Sequence, residues 1–154
     1  MIVICEDYEL INHFMSLPEI TRYSREFGAT GSIHKPDKRK LWVAYAIDGM
    51  VIGLISMRSM TGSACEFHPY ILSDHKKDYV NMCVMFFKWF DKHMPAQVVK
   101  LNTAIPSPYR AALRAAEAGG MTKEGTDRMS YRTKTKVCDR ILYGITREEI
   151  KNGR

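Results

Sequence analysis

The chain has 154 residues, of which 45% are hydrophobic, and its 23 Lys and Arg outnumber its 17 Asp and Glu. That is the length of one domain, expected over 1–154, with enough apolar side chains to build a core. The net charge of +6 suits a phosphorylated ligand, an acidic partner or nucleic acid. The longest apolar runs, Leu41 to Ile47 and Met82 to Phe87, are too short to cross a bilayer and no signal peptide is evident, so a cytoplasmic protein with no membrane span is expected.

Taken in chain order, "IVIC" reads as a short buried strand. In "EDYELINHFMS", Asp7 can cap a helix that carries Tyr8, Ile11 and Met15 at helical spacing. "SLPEITRYSREFG" repeats the pattern, with Ser16 as cap, Pro18 in the first turn, Ile20, Tyr23 and Phe27 on one face, and Gly28 as the stop. Residues 28–40 are a basic loop. Strands follow at 41–47, 50–60 and 64–72, the first two joined by the hairpin signal Asp48-Gly49. A helix is predicted over 75–93 with Ser73 as its cap, then a strand over 97–105. Ser107-Pro108 should open a helix that ends at Gly119-Gly120. Residues 121–136 and 137–146 read as a closing hairpin, and "REEIKNGR" as a polar tail. The strand–helix–strand unit over 64–105 should be parallel. The expected fold is therefore α/β in the α+β sense, a mixed, mostly antiparallel sheet of six or seven strands with helices on both faces.

Cys5, Cys65, Cys83 and Cys138 form no C-x-x-C pair and fit no zinc spacing, so they read as reduced thiols with no metal site. Cys65 needs no role beyond a small core residue. His68 can act as a base near neutral pH, although a buried, hydrogen-bonded histidine is the commoner case.

The second half, "LNTAIPSPYRAALRAAEAGGMTKEGTDRMSYR", together with the element order, resembles the GNAT superfamily of acyl-CoA-dependent N-acyltransferases. Gly120-Met121 stands where Gly-Phe is usual, and Glu124-Gly125 matches outright. Within that superfamily the chain is most similar to small proteins of tailed phages and prophages, which commonly carry "HPYI" and an ending like "DRILYGITREE".

The resemblance implies acetyl-CoA as cofactor and an amine, on a protein or a small molecule, as acceptor. It places the cofactor along Tyr70, Ile71 and Leu72, on the loop of Lys76, Lys77, Asp78 and Tyr79, and beside Ser107. In GNAT enzymes that loop reads Arg/Gln-x-x-Gly-x-Gly/Ala. Here Lys76, Tyr79 and Asn81 occupy those positions, so the glycines that admit a pyrophosphate are absent. A Ser73 cap would still leave the N–H groups of about 75–78 pointing outward. Glu66, on the fourth strand, stands where such enzymes often place a base. The usual tyrosine proton donor is replaced by Ala116, which leaves Tyr109 at the start of the same helix as the candidate. The alternative is a non-catalytic phage virion or head-assembly protein that binds a protein or DNA partner through its basic surface. A plain nucleic-acid role is the weaker one, because "TDRMSYRTKTKVCDR" holds one aromatic, Tyr131.

Overall fold

The computed structural model describes residues 1–153. Its strands are β1 (Ile2–Ile4), β2 (Lys40–Ile47), β3 (Met50–Ser59), β4 (Ala64–Ile71), β5 (Lys100–Pro106), β6 (Thr122–Arg132) and β7 (Val137–Thr146). Its helices are α1 (Tyr8–Ser16), α2 (Pro18–Ser24), α3 (Tyr79–His93), α4 (Arg110–Ala118) and α5 (Arg147–Lys151). All seven strands lie in one sheet in the order β1-β2-β3-β4-β5-β7-β6, antiparallel except for β4 beside β5. This is the expected mixed sheet.

Side-chain alternation along the strands builds two cores. On one face Trp42, Ala44 and Leu54 meet Ile11, Phe14, Met15 and Ile20 of α1 and α2. On the other, Val43, Tyr45, Ile55 and Phe67 meet Met82, Phe86, Phe87 and Phe90 of α3. Helix α3 is the most deeply buried because its apolar residues recur on both faces that the 3.6-residue period makes adjacent. Asp7 caps α1 as expected, accepting from the amides of Glu9 and Leu10. Asp48 and Gly49 turn the β2–β3 hairpin with φ of 49° and 82°.

Several boundaries differ from the sequence expectation. Strand β1 is an edge strand, with Val3 40% and Ile4 52% exposed, and only Cys5 after it is buried. Ser16 bonds back to the His13 carbonyl rather than capping α2, and α2 stops at Ser24, leaving Phe27 exposed. The helix expected from 75 begins as a 3-10 segment, Ser73–Asp78, and becomes α-helical only at Tyr79. Ser107 does not cap α4; Tyr109 precedes that helix without a side-chain bond, and Ser107 instead donates its amide to the Asp139 carbonyl. The polar tail forms α5, closed by a reciprocal Thr146–Glu149 capping box.

Gly120, just past α4, has a φ of 86°, a conformation that a side chain strains. Gly120→Val is expected to lower stability by about 1–3 kcal/mol in urea unfolding. An unchanged midpoint would show that the turn after α4 tolerates a Cβ.

Candidate active site

Strands β4 and β5 pair only through Ala64, Cys65 and Glu66 opposite Lys100, Leu101 and Asn102. Beyond these three positions they part, and a cavity of about 430 Å³ opens between them. Its walls are Phe67–Ile71 of β4, Thr103–Pro106 of β5, and faces of α2, α3 and α4. The hydrogen bonds at the ends of β4 set which backbone groups face this space. Leu72 donates to the Ile52 carbonyl and Met60 to that of Ala64, so even-numbered residues of β4 address β3. Odd-numbered residues therefore turn their amides to the cavity side. Ile71 presents its N–H there and Pro69 has none, while the Phe67 amide falls on the last rung of the ladder, opposite Asn102. A proline is accommodated in the middle of this sheet because its missing donor falls on the unpaired side.

Glu66 does not line the cavity. It lies one strand step from His68, which does. The His68 Nε2 is 3.5 Å from one carboxylate oxygen and an Arg58 nitrogen 2.8 Å from the other. These neighbours hold the Glu66 carboxyl down to about 2 against the desolvation that opposes them. Tyr70 and Ile71 line the cavity, whereas Leu72 packs into the core beneath α1 and α2. Ser107 stays outside the lining.

The loop expected to hold phosphate is arranged differently from the sequence expectation. Glu19 of α2 accepts hydrogen bonds from the Ser73 hydroxyl and, at 3.1 Å, from the Ser73 amide. His75 donates to the Leu72 carbonyl and Tyr79 to that of Lys76. Ser73 thus caps nothing, and the amides expected to point outward are partly engaged. The Ser73 bonds, with Lys76 nearby, hold the Glu19 carboxyl below its usual range. Lys76 lines the cavity with its Nζ 5.8 Å from the Tyr23 ring centre, and Lys77 is exposed. Asp78 faces His75 at 3.6 Å. Tyr79 forms part of the wall, and burial pushes its hydroxyl well above the ordinary tyrosine range.

The opposite end of the cavity is lined with tyrosines. The Tyr109 hydroxyl lies 3.4 Å from that of Tyr131, which donates to the Arg25 carbonyl at 2.8 Å. Burial and the Tyr109 contact raise the Tyr131 hydroxyl above its usual range. The Tyr23 ring meets Tyr109 edge-on at 5.6 Å. The Ser24 hydroxyl, also in the wall, is buried with no hydrogen-bond partner among the described residues. Ala116 is buried at the cavity surface, where it leaves space rather than a donor. Tyr23, Ser24 and Tyr131 escape the sequence reading. Tyr131 enters the cavity through a register shift in β6 between Asp127 and Tyr131, where Met129 adopts a φ of 52°. No local pattern announces that shift.

No family model matches the chain, and no curated protein does. Its structure is similar to that of spermidine N-acetyltransferase from Vibrio cholerae in complex with CoA and spermine, with a TM-score of 0.81 and 15% identity over 99% of this chain and 98% of that one. It is also similar to Mycobacterium smegmatis RimJ in complex with CoA-disulfide, with a TM-score of 0.61 and 16% identity over 72% of this chain and 55% of that one. The chain has the GNAT fold.

Glu66 yields a test of the geometry. Its folded pKa of about 2 lies below the ordinary 4.5, so its contribution to stability is full above the higher value and is lost as pH falls through the lower. Between about pH 5 and 2 the parent should lose about 2 kcal/mol more than Glu66→Gln in urea unfolding. Parallel pH profiles would show that the carboxylate has no such partners.

Proposed function

We propose that the protein is an acetyl-CoA-dependent N-acyltransferase that acetylates an amine, acting in the cytoplasm as a single-domain enzyme. The observation that carries this reading is the parting of β4 and β5 beyond Asn102 around a cavity, with the backbone of both strands unpaired along its walls. A pantetheine arm is narrow, apolar and amide-bearing, which fits a slot between two strands whose unpaired N–H groups seek acceptors. Acetyl-CoA would run along Tyr70 and Ile71 to the turn at Asp78 and Tyr79, facing Thr103–Pro106 of β5. Lys76 and Lys77 would meet its phosphates in place of the missing glycine loop.

In this reading the acceptor nitrogen attacks the thioester carbonyl carbon, and the amide of Ile71 stabilises the oxyanion. His68, oriented by Glu66, takes the proton that the amine loses. As the C–S bond breaks, Tyr109 gives the thiolate its proton, and Tyr131, fixed on the Arg25 carbonyl, holds Tyr109 in place. The assembly role implied by the likeness to phage proteins gains no support from the bacterial acetyltransferases that share the fold.

Calorimetry with acetyl-CoA is the direct test, and absence of heat at millimolar ligand would overturn the proposal. Lys76→Ala with Lys77→Ala should weaken binding by about 1–3 kcal/mol, with a smaller loss at high salt. Glu19→Gln should tighten it, because one negative charge beside the Ser73 amide disappears. Tyr109→Phe should lower kcat for CoA thiol release about a hundredfold while acetyl-CoA affinity stays unchanged. Equal rates for parent and variant would remove Tyr109 from the proton path.

A further inference from the structure

Beside the β4–β5 cavity lies a second, wider hollow of about 710 Å³, and Tyr23 and Tyr109 belong to the walls of both. The second hollow is formed by α2, the chain that follows it, and the turn between β6 and β7. Its walls are held in place. Phe27 donates its amide to the Arg132 carbonyl, and Arg132 donates its own to the Glu26 carboxylate. The turn is closed by hydrogen bonds from the Thr133 amide and hydroxyl to the Lys136 carbonyl, at 2.8 Å each.

Arg22, Arg132, Lys134 and Lys136 line this hollow. None of the four forms an ion pair among the described residues. Arg25 also borders it but turns its guanidinium toward the Met15 carbonyl. The carboxylates in the two walls are Glu19 and Glu26, and each already accepts a backbone amide, from Ser73 and Arg132 respectively. A polycationic acceptor would therefore meet four positive charges without ion-pair partners against a single carboxylate in each wall. An anion would meet the reverse, a field that attracts it before contact.

We infer that the acceptor is an amine bearing an anionic group, a carboxylate or a phosphate, which seats in the second hollow while its amino group reaches past the Tyr23–Tyr109 pair, the wall common to both spaces, into the β4–β5 cavity. This rests on the acyltransferase reading and narrows its substrate class. It also separates this chain from its structural neighbour, whose complex holds spermine.

The test titrates the full chain, with and without acetyl-CoA, against ethanolamine, phosphoethanolamine, spermidine, and the C-terminally amidated peptides Gly-Gln-Gln and Gly-Glu-Glu. At least one anionic amine should bind about tenfold more tightly than its neutral counterpart, and more tightly than spermidine, with the preference shrinking at high salt. Whether phosphoethanolamine or Gly-Glu-Glu shows the gain identifies phosphate or carboxylate. Arg132→Glu with Lys134→Glu should abolish the preference while leaving acetyl-CoA affinity unchanged. Should circular dichroism show that pair unfolded, Lys134→Ala with Lys136→Ala on the exposed turn is read instead and should reduce the preference. Spermidine binding as tightly as the anionic amines, a preference untouched by these variants, or no amine binding at all would overturn the inference. Loss of acetyl-CoA binding with the anion preference intact would instead overturn the acyltransferase reading.

Discussion

Two neighbouring strands that begin as a parallel pair and then separate create the space on which the rest of the molecule is organised. Ala64–Glu66 and Lys100–Asn102 hold β4 to β5 at one end. Beyond them Pro69 and Pro106 each lack a donor, so a continued ladder would be incomplete. Unpaired strand edges ordinarily invite another strand. Here α2, α3, α4 and Tyr131 close over them, and the N–H of Ile71 faces the cavity instead of solvent. The same gap that weakens the sheet gives the protein a slot with polar edges and apolar sides.

Holding that gap open requires the layers around it to be rigid. Helix α3 packs Met82, Phe86, Phe87 and Phe90 into the sheet, and Phe67 of β4 meets the Phe86 and Phe87 rings at 5.4 and 5.6 Å. At the far end of α3 the Arg147 guanidinium donates to the carbonyls of Asp91, Met94, Pro95 and Val98 and to the Asp91 carboxylate. It also lies 4.9 Å from the Phe90 ring centre. One largely buried cation thus satisfies the orphan carbonyls at the helix end and ties α3 to the start of β5 and the end of β7.

Charge is distributed with the same economy. Around the two hollows the carboxylates of Glu19 and Glu26 accept backbone amides, while Arg22, Arg132, Lys134 and Lys136 form no ion pair among the described residues. Glu19 shows the consequence most clearly, because the protein's own carboxylate stands at the Ser73 amide where the fold's phosphate loop would lie. The electrostatics thereby favour anions at the lysines of the loop and at the arginines and lysines of the second hollow, two regions separated by the tyrosines.

Hydrophobic periodicity and turn chemistry, which are local, made the element order, the parallel pair and the β2–β3 and β6–β7 hairpins legible in the sequence. Asp7 as a cap and Gly120 as a left-handed turn were legible for the same reason, since each depends on a few neighbouring residues. Ser73, Ser107 and Ser16 looked like caps by that logic and were not: Ser16 turns back to the His13 carbonyl, and the Ser73 side chain is taken by a partner that only the tertiary fold brings close. For Ser73 that partner is Glu19, 54 positions earlier in the chain. Among the candidate site residues, Tyr70, Ile71, Lys76, Tyr79 and Tyr109 lie in the cavity wall, while Glu66, Leu72 and Ser107 do not. Tyr23, Ser24 and Tyr131 reach the cavity only because α2 lies over β4 and because β6 shifts its register. Sequence therefore determined which segments become strands and helices. The site was decided by how far β4 and β5 diverge and by what packs across the gap, and both follow from contacts between residues far apart in the chain.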